Sequence, residues 1–116
     1  MTNEIRHLEP QALWGHFADL NAIPRASKRE EQASRFVAAF GRSLGLETTV
    51  DPCGNVLIRK PASPGQEHRP GIVLQGHLDM VHQKNASTTF DFDTEGIRMG
   101  VDGDWVKAEG TTLGAD

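Results

Sequence analysis

The spacing of apolar residues predicts an amphipathic helix near the start of the chain. The helix is expected between Pro10, which suits a first turn because the missing N–H has no helical partner there, and Pro24, which stops it. Its apolar stripe consists of Leu13, Trp14, Phe17 and Leu20.

A second amphipathic helix is predicted from Ser27 to Gly45. Ser27 and Glu30 have the spacing of a capping box, and Gly45 stands where a left-handed residue would end the helix. The predicted buried face consists of Ala33, Phe36, Val37, Phe40 and Leu44.

After Gly45 the pattern changes from helical to strand-like. Strands are predicted at 46–50 and 55–60 around the turn 51–54, and a Pro- and Gly-rich loop at 61–71. Residues 72–81 start as a continuous apolar run, which is typical of a strand covered on both faces. Asp102-Gly103 predicts a hairpin with a type I′ turn. Two helices followed by at least five strands favour an α/β fold with a mixed sheet, of which this chain holds only the beginning.

Length and composition narrow the class of protein. The 116 residues suit one domain with a single core, and 37% hydrophobic and 24% charged residues are typical of a globular protein. The net charge of −4 and the scattered basic residues argue against a nucleic-acid partner. A single cysteine, Cys53, excludes an internal disulfide and a Cys-rich zinc site. We expect a cytoplasmic protein without a membrane partner, because the sequence contains neither a secretory h-region nor a membrane-length apolar run.

The chemistry is concentrated at the end of the apolar run 72–81. Residues two apart on a strand project from the same face, so His77 and Asp79 are predicted to lie side by side. Metal-binding histidines usually donate their second ring N–H to a carboxylate, which a His-x-Asp pair would allow. A core histidine hydrogen-bonded to an acid explains the same pattern, and the residues alone do not decide between the two interpretations.

Longer motifs resemble a known family. "GHLDMV" and "GTTLGAD" are similar to the opening motifs of the zinc-dependent metallopeptidases that include aminoacylases, carboxypeptidases and several dipeptidases. The segments "GNVLIRKPA", "LQGHLDMVHQKN", "DFDTEGI" and "DGDWVKAEGTTLGAD" resemble the aminoacyl-histidine (Xaa-His) dipeptidases more narrowly. The resemblance implies that residues 1–116 are the N-terminal portion of a metallopeptidase catalytic domain.

The resemblance also implies roles for individual residues. His77 would be a ligand of one metal, Asp79 the acid that orients its ring, and Asp116 the carboxylate that bridges two divalent ions, zinc or alternatively cobalt or manganese. Gly114 and Ala115 would bring the backbone of Asp116 close to the metals, although an ordinary turn explains them equally well. The family's catalytic glutamate and its remaining ligands lie beyond residue 116, so the chain alone is expected to be inactive.

The resulting hypothesis is a segment of a dizinc dipeptidase that hydrolyses Xaa-His dipeptides through a metal-activated water, with a homodimer left open for the complete enzyme. Two alternatives remain. One is a related hydrolase, such as a tripeptidase or a deacylase, with similar metal motifs. The other is a truncated, non-catalytic binding module. His82 could stand near a substrate, although a surface histidine is the simpler interpretation.

Overall fold

The computed structural model describes residues 2–115, with side chains from residue 4 onward. Three helices precede four strands: α1 (Thr2–Ile5), α2 (Gln11–Asn21), α3 (Glu31–Ser43), β1 (Glu47–Val50), β2 (Val56–Arg59), β3 (Met99–Asp102) and β4 (Trp105–Ala108). The chain forms two compact units. The first comprises Met1–Ala33 with Asp79–Asp116, and the second comprises Ser34–Leu78.

The first unit contains the main hydrophobic core. Its buried members come from α1, α2, the β3–β4 hairpin and the segment before that hairpin: Ile5, Ala18, Met80, Phe90, Ile97 and Met99. Trp14 and Phe17 of the predicted helical stripe pack against this core, with their rings edge to face at 5.9 Å. Leu13, on the flank of the stripe, is 56% exposed. The predicted helix is therefore confirmed, and it ends before Pro24 as expected.

The second unit contains α3 from Ser34 onward and the β1–β2 hairpin. The two strands are antiparallel, with Glu47 opposite Arg59 and Val50 opposite Val56. Gly41 of α3 lies so close to this hairpin that a Cβ would come within 2.5 Å of Thr48 Oγ1 and 2.8 Å of Ile58 Cδ1. Gly45 has the predicted left-handed conformation, with φ of 69°. The predicted strands 46–50 and 55–60 are thus confirmed.

The predicted strand 72–81 is not present. Residues 72–81 form no strand, and their one β-type pairing among the described residues is an isolated parallel bridge between Met80 and Ala26. The side chains of Ile72, Val73 and Leu74 are 84–89% exposed. Within residues 2–115 the strands form two separate two-stranded antiparallel sheets rather than a mixed sheet. A strand covered on both faces requires paired neighbours and helices above and below it, and none of the described segments pairs with 72–78.

Two local predictions were also wrong. Helix α3 begins at Glu31 rather than just after Ser27, and the hydroxyl of Ser27 donates to Asp79 instead of capping the helix. In the second hairpin, Asp102 pairs with Trp105, so the turn residues are Gly103 and Asp104. Gly103 has φ of 60°, but Lys28 is the sole described non-glycine residue with positive φ. A positive φ at the first turn position alone defines a type II′ turn rather than the predicted type I′.

Candidate functional site

The two residues of the predicted His-x-Asp pair belong to different units. His77 is exposed on the extended segment of the second unit, whereas Asp79 is partly buried and opens the second part of the first unit. Their side-by-side placement stays a prediction. Asp116, the predicted bridging ligand, lies outside the described residues.

Asp79 is fixed by the segment that follows α2. The Met80 N–H donates to the Arg25 carbonyl at 2.9 Å, and the Ser27 N–H donates to the Met80 carbonyl at 3.1 Å, which makes the parallel bridge at Ala26. The Ser27 hydroxyl then donates to Asp79 Oδ2 at 2.6 Å. This hydroxyl is also 3.1 Å from the Met80 carbonyl, but its single proton favours the nearer, charged acceptor. One carboxylate oxygen of Asp79 is therefore held in place by a neighbouring segment.

A buried arginine contacts both segments that carry predicted site residues. Arg25 is 4% exposed. Its Nη2 donates to Asn21 Oδ1 and to the Gly114 carbonyl, each at 2.7 Å, and its Nη1 lies 3.4 Å from the Asp79 carbonyl. A planar guanidinium can serve several acceptors at fixed angles, which suits such a junction. Arg25 thus connects the backbone at Asp79 with the backbone two residues before Asp116.

Asn21 completes this buried network. It is fully buried at the end of α2, and its Nδ2 donates to the Leu113 carbonyl at 3.0 Å and to Met99 Sδ at 3.2 Å. Leu113 and Gly114 therefore each present a carbonyl to the pair formed by Asn21 and Arg25. Gly114 itself has φ of 71°, and a Cβ there would lie 2.7 Å from Arg25 Nη2. The "GTTLGAD" segment reaches the pair because residue 114 is a glycine.

Sequence reasoning missed Arg25, Asn21 and the actual role of Ser27. One signal was available for Asn21, which stands seven residues after Trp14 and so falls on the apolar stripe of α2. A polar residue at such a position needs hydrogen-bond partners in the core. No local pattern marks Arg25, because its acceptors Asp79 and Gly114 are 54 and 89 residues away in sequence.

A recess of about 590 Å³ lies beside Ser27 in the first unit. Its lining is partly aromatic and partly charged, and it includes Ser27, Lys28, Arg29, His82, Phe90 and Phe92. The rings of His82 and Phe92 meet edge to face at 5.7 Å. His82 therefore lines a recess next to the residue that holds Asp79, which keeps its predicted place near a substrate as a hypothesis.

The charged residues near this recess compensate one another. The hydrogen bond from Arg29 to Asp93 raises the pKa of Arg29. The pKa of Glu95 is lowered, first by the N–H of Asp91 and then by Arg98.

The described residues do not form a complete metal site. Across residues 2–115 no group of three or more His, Cys, Asp or Glu side chains is placed to hold a metal ion. The predicted ligands, an imidazole at His77 and a carboxylate at Asp116, fit zinc in donor type but not in number, since a catalytic zinc takes about three protein ligands.

No described helix is long and apolar enough to cross a membrane.

Comparisons with known proteins relate the chain to dipeptidases. It is homologous, at 48% identity over 114 residues, to the cytosol non-specific dipeptidase of Escherichia coli K12, covering 98% of this chain and 24% of that protein. It is also similar to the crystal structure of aminoacylhistidine dipeptidase from Vibrio alginolyticus, with a TM-score of 0.93 and 46% identity over 97% of this chain and 23% of that one. No family model matches. The chain therefore spans about a quarter of the length of these relatives.

Proposed function

We propose that this chain supplies part of the active site of a metal-dependent dipeptidase. The observation that carries the proposal is the homology, at nearly half identity and over almost the whole chain, to two proteins that are both named as dipeptidases. The relatives' names differ in substrate range, and we propose Xaa-His dipeptides as the preferred substrates. By the same homology we propose a cytosolic location.

Within this proposal His77 would hold one of two divalent ions, zinc in the first instance, and Asp116 would be the ligand shared by both. Such ions would polarise the peptide carbonyl and lower the pKa of a water molecule. Asp79 orients the imidazole of His77, and the Ser27 hydroxyl at 2.6 Å restricts the rotation of the Asp79 carboxylate.

The test uses a hybrid in which this chain replaces the matching segment of the Escherichia coli dipeptidase. We expect the hybrid to hydrolyse dipeptides and to contain two metals per active site. Asp116→Ala should lose at least one metal and all measurable hydrolysis, because two dications held close together would repel each other strongly without the anion between them. His77→Ala should lose one metal, and Asp79→Asn should lower activity or metal affinity by about 10–100-fold.

A matched control separates these effects from general damage. His68 is an exposed histidine in the loop 61–71, so His68→Ala should keep both metals and full activity. Rates with Ala-His, β-Ala-His and Ala-Ala would establish the substrate preference. A folded hybrid that hydrolyses none of these dipeptides would overturn the proposed function, and two retained metals in Asp116→Ala would overturn the bridging role.

A further inference from the structure

We infer that Arg25, supported by Asn21, is a positioning residue that sets the backbone leading into Asp116 relative to the backbone of Asp79. This inference rests on the proposed function, in which Asp116 and Asp79 belong to one metal site. The hydrogen bonds that carry this inference run from Arg25 to the side-chain oxygen of Asn21 and to the backbone carbonyls of Asp79 and Gly114.

The donors of the pair match the acceptors of the loop. Arg25 Nη2 carries two protons, and two acceptors lie at 2.7 Å from it, Asn21 Oδ1 and the Gly114 carbonyl. Asn21 Nδ2 also carries two protons and reaches the Leu113 carbonyl and Met99 Sδ. Consecutive carbonyls of the loop are thus held by two side chains that are themselves hydrogen-bonded to each other.

Because Asn21 and Arg25 are buried, their hydrogen bonds restrict the movement of the loop at 113–114. Asn21 and Arg25 are 0% and 4% exposed, so water cannot readily substitute for a lost partner. Gly114 has φ of 71°, and a Cβ added there would lie 2.7 Å from Arg25 Nη2 and 3.1 Å from Met80 Cβ. The residue after Gly114 is exposed, so the described restraints on this end of the loop are concentrated at 113–114. Asp116 stands two residues further along the sequence, and the inferred positioning acts on it through the backbone at 113–114.

The same guanidinium also reaches the other segment. Nη1 of Arg25 lies 3.4 Å from the Asp79 carbonyl, while the Arg25 carbonyl accepts the N–H of Met80. The side chain of a single residue therefore contacts both the Asp79 carbonyl and the loop before Asp116, while its backbone pairs with the neighbouring Met80. A displacement of about 1 Å at a reacting centre can cost on the order of 100-fold in rate, so such a junction can control activity without touching substrate.

The first test measures order in the 116-residue chain by NMR, which needs neither metal nor activity. We expect the Gly114 amide to be rigid in the parent chain, with an order parameter of about 0.85. In Arg25→Met, which keeps an apolar stem but donates no hydrogen bond, the order parameter should fall below about 0.6. Arg25→Lys should lie between, because a compact ammonium cannot reach both carbonyls with the geometry of the guanidinium.

The second test uses the full-length hybrid. Arg25→Met should lower zinc affinity and kcat by about 10–100-fold with little change in KM for the dipeptide, and Arg25→Lys should restore part of both. Ser34→Ala is the control, since Ser34 is 7% exposed and donates to the Gly54 carbonyl at 2.6 Å in the second unit. It should lower stability while leaving zinc affinity unchanged.

The outcomes separate the two proposals. A parent hybrid without hydrolysis overturns the proposed function. An active parent whose Arg25→Met and Arg25→Lys variants keep wild-type zinc affinity and Gly114 order overturns the positioning role alone. Should Arg25→Met fail to fold, Arg25→Lys decides: reduced zinc affinity and reduced order support the role, and wild-type values of both overturn it.

Discussion

Replacing Gly114 with alanine should destabilise the first unit more than the same change at another left-handed glycine. Gly114 has φ of 71°, where an L-residue costs about 1–2 kcal/mol. The new Cβ would also lie 2.7 Å from Arg25 Nη2 and 3.1 Å from Met80 Cβ. Either the loop or the guanidinium must move.

Moving the guanidinium is costly because of its partners. Arg25 Nη2 holds Asn21 Oδ1 and the Gly114 carbonyl at 2.7 Å in a buried setting. A hydrogen bond to a charged group contributes about 1.5–3 kcal/mol. Because relaxation recovers part of this loss, we expect Gly114→Ala to lower the free energy of unfolding by about 3 kcal/mol.

The assay is urea unfolding of the 116-residue chain, followed by tryptophan fluorescence, in which Trp14 reports on the core of the first unit because it packs against that core. The control is Gly103→Ala in the same unit. Gly103 has φ of 60°, and a Cβ there would meet no atom within 4 Å, so the change should cost only the backbone term of about 1–2 kcal/mol. Equal losses in the two variants would refute the close contact between Gly114 and Arg25.

Three further predictions concern hydrogen bonding, titration and packing. Ser27→Ala should reduce the free energy of unfolding by about 1 kcal/mol in urea, because Asp79 loses the donor at 2.6 Å from Oδ2; an unchanged midpoint would contradict that bond. The pKa of Asp51 is lowered chiefly by the side chain of Asn55. The ionised Asp51 therefore contributes stability that is present above the pKa of Asp51 in the unfolded chain and is lost as the pH falls through the pKa of Asp51 in the folded chain. In Asn55→Ala the pKa of Asp51, followed by NMR titration, should rise towards its usual value, and no change would contradict this cause. Gly41→Ala should destabilise the second unit by about 1–3 kcal/mol, since its Cβ would overlap the β1–β2 hairpin, and thermal unfolding that matches the parent would rule out that overlap.

The elements that could be predicted from the sequence are those decided by nearby residues. The two longer helices follow from apolar spacing, and the end of α3 follows from Gly45, whose left-handed conformation is confirmed. The hairpins β1–β2 and β3–β4 join strands that are adjacent in sequence, so turn chemistry is sufficient to place them. The error in turn type arose because Asp102 proved to be the last strand residue rather than a turn residue.

The strand at 72–81 failed for a non-local reason. Its composition indicates a strand with both faces covered, but composition cannot supply the neighbours that such a strand requires. In residues 2–115 the sole described pairing in this run is the bridge from Met80 to Ala26, 54 residues earlier. The exposed side chains of Ile72, Val73 and Leu74 are the direct consequence of that missing cover.

The candidate site shows the same difference between features set by local sequence and features set by residues distant in sequence. The histidine and aspartate at 77 and 79 stand out in the sequence because a His-x-Asp pattern suits a metal ligand and the carboxylate that orients it, although the same pattern fits a core histidine bonded to an acid. The residues that support Asp79 and the loop before Asp116 are subject to no such demand, since any donor of suitable reach can hold a backbone carbonyl. Arg25 meets that need because the fold brings residues 79 and 114 to the end of α2. Local sequence therefore supplies a hypothesis for the chemistry of the predicted site, whereas the geometry of the supporting residues depends on contacts that only the folded chain creates.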